Sequence, residues 1–109
     1  MKRAGLLGVL SQGQRAPSIK AASSRLKSGE ILYVTGTGFT PDRAAVAHLK
    51  RPDQTEYNPL RLRASSSGEL VHKIDTVMLD IGTFELWVED EASKATSNRI
   101  QFTVEPASR

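Results

Sequence analysis

Residues 83–89, TFELWVE, alternate strictly: Phe84, Leu86 and Val88 fall on one side of an extended chain, and Thr83, Glu85, Trp87 and Glu89 on the other. Residues 99–104, RIQFTV, repeat the pattern, with Ile100, Phe102 and Val104 opposed to Arg99, Gln101 and Thr103. A period of two with this many aromatic and β-branched residues marks a pair of half-buried strands, and the polar stretch from Asp90 to Ser97 reads as their hairpin loop. Alternation turns Trp87 outward, beside Glu85, Glu89, Arg99 and Gln101. An outward indole is a candidate anchor for a partner. The competing reading is an indole covered by the N-terminal segment or by the stems of Arg99 and its neighbours.

Working back toward the N-terminus, residues 30–37 are again β-branched and aromatic, with Leu32 and Val34 on one face and Ile31, Tyr33 and Thr35 on the other. Tyr33 and Ile31 are weaker versions of the outward Trp87. The strand runs into Gly36, Thr37, Gly38 and Phe39, where glycines permit a bend and Phe39 can plug the end of a core. Residues 45–50 form a further strand, closed by the turn chemistry of Arg51, Pro52, Asp53 and Gln54. Residues 58–64 set Leu60, Leu62 and Ala64 against Arg61 and Arg63, and residues 69–75 set Leu70, His72 and Ile74 against Val71 and Lys73. With Ser65 to Gly68 as the turn, these two segments are expected to pair as a hairpin. Residues 12–29 read as linker with a weak first strand over Ser18 to Ala22, and Val77, Met78 and Leu79 as a crossing segment. Short strands punctuated by turns, without a sustained helical period, predict an all-β, immunoglobulin-like antiparallel β-sandwich of about seven strands with an extended N-terminal arm. The expected limits are an arm over 1–16, the sandwich over 17–105 and a tail over 106–109.

The chain has 109 residues, the usual size of one domain, and its hydrophobic fraction of 39% and charged fraction of 25% are those of a folding protein. A net charge of +3 is too small to imply nucleic acid, and the absence of cysteine leaves neither a disulfide frame nor a thiolate metal site. The first ten residues combine Lys2 and Arg3 with the apolar Leu6, Leu7, Val9 and Leu10, which resembles an export signal. Two glycines interrupt the run and no small-x-small cleavage site follows, so an arm that packs those four side chains onto its own domain or a neighbour is the leading alternative, with a frayed end beside it. Nothing approaches the roughly 20 apolar residues of a membrane span.

Three features resemble the bacterial immunoglobulin-like domains related to the IPT/TIG modules. They are Pro17 before the first strand, the Leu32, Val34, Gly36, Gly38, Phe39 pattern, and Asp80, Ile81, Gly82, Thr83, Phe84 leading into the penultimate strand. The last is similar to the Asp-x-Gly-x-Tyr corner of such folds, except that Phe84 has no hydroxyl to bond back to the backbone. The resemblance covers residues 17 to 104. It implies the sandwich, and roles as spacer, adhesive, enzyme-accessory or phage-decoration modules, with no catalytic residues to carry over.

Reactive constellations are sparse. His48 and His72 lack ligand spacing and suit strand positions; Ser65, Ser66 and Ser67 before Gly68 have the order of a plain turn; and Gly36, Thr37 and Gly38 lack the Lys and helix of a phosphate loop. The carboxylates Asp42, Asp53, Asp75, Asp80 and Asp90 lack the alternating calcium-loop pattern. Lys50, Arg51, Arg61, Arg63 and Lys73 form a positive stripe if their strands are neighbours, but without interleaved aromatics a solvated face is the simpler account. The expectation is a protein that is not an enzyme, without cofactor or metal. Its partner is a protein, within a larger multimeric assembly of virion or cell-surface type, engaged through Trp87, Tyr33, Leu6, Leu7, Val9, Leu10 and Arg99. A carbohydrate-binding accessory domain, with Trp87 and Tyr33 as stacking platforms, is the alternative.

Overall fold

A computed structural model describes residues 16 to 107. Its strands are β1 (Ser18–Ala21), β2 (Arg25–Lys27), β3 (Ile31–Thr37), β4 (Ala44–Lys50), β5 (Leu60–Arg63), β6 (Leu70–Asp75), β7 (Gly82–Asp90) and β8 (Ile100–Glu105). One 3₁₀ turn, Thr76–Met78, links β6 to β7. The strands form two layers, a three-stranded sheet ordered β1-β3-β6 and a five-stranded sheet ordered β2-β8-β7-β4-β5.

The alternation in the sequence becomes the core. Phe84, Leu86 and Val88 of β7 and Phe102 and Val104 of β8 are at most 2% exposed, and they meet Leu32 and Val34 of β3 and Ile19 of β1 from the facing sheet. Phe84 and Phe102 are cross-strand partners whose rings stack 5.3 Å apart. Phe39 closes one end of this core, as its place after the glycines suggests. The loop carrying it depends on Gly38 and Gly68, both at positive φ: a Cβ on Gly38 would lie 2.7 Å from the Ala16 carbonyl oxygen, and one on Gly68 would strike the Phe39 carbonyl.

Three expectations are corrected. The chain has eight strands among the described residues, because Arg25–Lys27 pairs in parallel with β8 and buries Leu26. A single apolar residue between two charged ones carries no periodicity to announce such a strand. Next, residues 58–64 and 69–75 do not form a hairpin: β5 pairs with β4 and β6 with β3, so the Ser65–Gly68 turn carries the chain from one sheet to the other. Gly68 N–H donates to the Ser65 carbonyl within the turn, and the β3–β4 loop is bonded to it, Phe39 N–H donating to the Gly68 carbonyl and Asp42 N–H to the Ser65 carbonyl. Finally, the crossover separates Lys73 from the other basic residues. On the five-stranded side Arg61 makes a two-pronged bond to Glu91 at 2.9 Å, Lys50 lies 3.5 Å from Glu85, and the Arg51 guanidinium covers the Tyr57 ring. The positive stripe is therefore divided and partly neutralised.

The two long sides of the sandwich are finished differently. At β1, Asn98 uses its side-chain amide as a strand would: it accepts from Ile19 N–H at 2.8 Å and donates to the Ile19 carbonyl at 3.0 Å. This occupies the outer edge of β1 and ties it to the segment entering β8. At β6, no described strand takes the outer edge.

Candidate partner-binding surfaces

Trp87 sits on the outer face of the five-stranded sheet, as alternation requires, since its neighbours Leu86 and Val88 enter the core and it does not. It is nonetheless only 8% exposed. His48, its cross-strand partner on β4, stacks at 5.4 Å with planes 9° apart, and from the β8 side the Arg99 guanidinium lies 3.9 Å from the ring centroid. Glu85 holds the cover in place, accepting from Arg99 at 3.2 Å while Lys50 approaches at 3.5 Å. The row His48–Trp87–Arg99 is thus a closed lid on the sheet, with the half-exposed Arg99 as its outermost group.

Tyr33 lies on the outer face of the other sheet, 48% exposed, between Ile31 on its own strand and Val71 diagonally across on β6. Lys73, directly opposite, brings its ammonium 6.0 Å from the ring. Tyr33 and Trp87 consequently face away from each other and share no surface. Leu6, Leu7, Val9 and Leu10 lie outside the described residues.

Sequence reasoning missed two apolar regions. Val77, Met78 and Ile81 are exposed on the link between β6 and β7, an apolar run whose direction no alternation specifies. The other is a seam on the β6 side of the sandwich, a cavity of about 280 Å³ lined by Ala47, Leu49, Tyr57, Leu60, His72 and Ile74. Five strands below and three above leave β4 and β5 incompletely roofed. Leu60 shows this: its register opposite Ala47 turns it inward, yet it is 50% exposed. His72 points into the seam, and burial holds its pKa below the usual 6.5.

The polar residues weighed for chemistry have structural partners. Ser65 Oγ accepts from the backbone N–H of Ser67 and Glu69. Asp53 accepts from Thr55, which lowers its pKa. Buried Asp90 accepts from Thr40 and Ser93 hydroxyls through Oδ2, tying the β3–β4 loop to the β7–β8 hairpin, while Oδ1 has no partner among the described residues. Burial pushes the Asp90 pKa up, but the hydroxyl and backbone bonds of Ser93 and Thr40 together outweigh it and leave it below 3.8. His48 and His72 lie on different faces, and among the described residues no three His, Cys, Asp or Glu side chains converge on a metal-sized site. No described helix is long and apolar enough to cross a membrane.

No protein-family model matches the sequence, and no curated protein matches it. Among solved structures, the chain is similar to part of the chitinase ChiW from Paenibacillus sp. str. FPU-7, a bacterial cell-surface-expressed multi-modular enzyme machinery, at 20% identity and a TM-score of 0.52 over 79% of this chain. The chain spans only 8% of the length of that protein. A second similar structure is the CARDB domain of a Pyrococcus furiosus protein in complex with di-metal ions, at 12% identity and a TM-score of 0.46, covering 82% of this chain and 90% of that one. The two-layer topology and the likeness to part of the chitinase establish the fold and no activity: the chain is an immunoglobulin-like β-sandwich.

Proposed function

We propose that this chain is a non-catalytic immunoglobulin-like module, of the kind to which IPT/TIG domains belong, that docks onto a larger protein assembly of cell-surface or phage-particle type. The contacts are made by Leu6, Leu7, Val9 and Leu10 of the N-terminal arm, by Tyr33, and by the Trp87–Arg99 lid. The observation that carries this reading is the exposure of Ile31, Tyr33 and Val71 together on one sheet face, where an isolated domain gains nothing from apolar groups. At Trp87 the group offered to a partner is the Arg99 guanidinium, with the indole as its backing. Similarity to one module of a multi-modular surface enzyme supports a role as an appended, non-catalytic domain.

Replacing Leu6, Leu7, Val9 and Leu10 together by Ser in the full chain tests the docking. Analytical ultracentrifugation is expected to show concentration-dependent association for the parent chain and a monomer for the variant. Equal sedimentation of the two would refute arm-mediated docking between copies of the chain. The carbohydrate-binding alternative now rests on Tyr33 alone, since Trp87 faces the other way. Retardation of the protein in gels containing polysaccharide, abolished by Tyr33→Ala, would favour it over the assembly reading.

A further inference from the structure

The two edges of the three-stranded sheet differ in a way that suggests what the seam is for. Ala22 N–H donates to the Tyr33 carbonyl on the β1 side, so by alternation the backbone groups of Ile31, Tyr33 and Thr35 point to β1 and those of Leu32, Val34 and Gly36 to β6. The register then pairs Leu70, His72 and Ile74 with β3 and directs the N–H and C=O groups of Val71, Lys73 and Asp75 outward from the sheet. Asn98 occupies the corresponding edge of β1, whereas no described strand occupies that of β6. In the seam beside this open edge lie the inward-facing but half-exposed Leu60 and the half-buried Leu49. An extended strand laid beside β6 would satisfy its backbone and cover those side chains in one step, which is the physics of strand addition. The cavity, at about 280 Å³, has room for a few aliphatic side chains.

We propose that the seam is a strand-acceptor site and that its occupant is the apolar segment Gly5–Leu10 of a second copy of this chain. The proposal rests on the docking reading above and names the surface to which the arm docks. Residues 5–10, GLLGVL, place aliphatic side chains on both faces of a strand, so either face can fill the seam. The arm leaves the described fold at Ala16, next to Gly38 at the β1 side, whereas the acceptor is at β6, on the far side of the sheet. Within one chain, residues 11–15 would have to cross three strand spacings, about 14 Å, with a fully extended reach of about 17 Å. Their path would also run over the Phe39 and Gly68 loops at that end. A neighbouring copy sets no such limit. Donor and acceptor on opposite sides make the contact head-to-tail, a geometry that propagates from copy to copy.

The absence of native cysteine permits a direct test in the full chain. Protein carrying Leu6→Cys or Leu7→Cys, which between them sample both faces of the arm, is mixed with protein carrying Leu60→Cys and treated with a short bismaleimide. The expected product is a cross-linked pair of unlike chains. Val71→Pro removes an outward N–H and no β3 bond, and is expected to cut cross-linking at least tenfold with the circular dichroism and melting curve retained. Replacing Leu6 and Leu7 together by Asp, one on each face of the arm and with the cysteine then placed at Val9 or Leu10, should do the same without altering the sandwich. Cross-linking confined within a single double-cysteine chain, or its absence between chains, would overturn the proposal, as would indifference to both substitutions. If the four-serine variant loses association while Leu60→Cys captures no arm, the docking reading stands and the seam assignment falls.

Discussion

Trp87 illustrates what a side chain's direction does and does not settle. Alternation with Phe84, Leu86 and Val88 places it outside the core, and that much is legible in seven residues. Its cover is not legible, because it depends on His48 being its cross-strand partner and on Arg99 arriving from the next strand. Arg99→Ala is expected to red-shift Trp87 emission and raise its quenching by acrylamide, while costing about 1 kcal/mol in urea unfolding. An unchanged spectrum would mean that His48 alone seals the ring. Asp90 poses a different question at the same scale. Because its folded pKa lies below 3.8, its carboxylate stabilises the fold above the unfolded value, and this contribution disappears as pH falls through the folded one. Asp90→Ala leaves the Thr40 and Ser93 hydroxyls without their acceptor and should cost about 1–3 kcal/mol at pH 7. Unfolding curves of parent and variant should draw together below pH 4, and a constant gap down to the acid limit would contradict the assignment.

Among the elements, the strands most readily foreseen are those with three alternating apolar positions, such as β7 and β8. β2 escaped because Arg25, Leu26 and Lys27 contain one apolar side chain, and its pairing with β8 depends on residues far along the chain. The β5 and β6 segments were foreseen but their pairing was not: Ser65 to Gly68 has the same turn chemistry whether the chain returns to its own sheet or crosses to the other. That ambiguity also hid the seam, which exists because β5 and β6 lie in different layers. Asn98 shows an element completed by a side chain, and Asn98→Ala should cost about 1–2 kcal/mol and speed hydrogen exchange at the Ile19 amide. Exchange unchanged at Ile19 would show that the amide clamp is not what protects β1.

For the whole molecule, a layer of five strands facing a layer of three explains why a chain with an ordinary hydrophobic fraction still presents apolar groups to solvent. Composition reported the amount of core material correctly and was silent on its distribution between sheets. The long-range pairing of β8 has a further consequence, concerned with biosynthesis. Residues 100–105 lie between β2 and β7 in the larger sheet, so both neighbours wait for a strand translated after every other one in the domain. The nascent polypeptide therefore cannot complete its larger layer on the ribosome until that stretch clears the exit tunnel. During that interval Leu26, Phe84 and Leu86 lack their lasting shelter, and a chaperone that holds apolar β segments has its opportunity there.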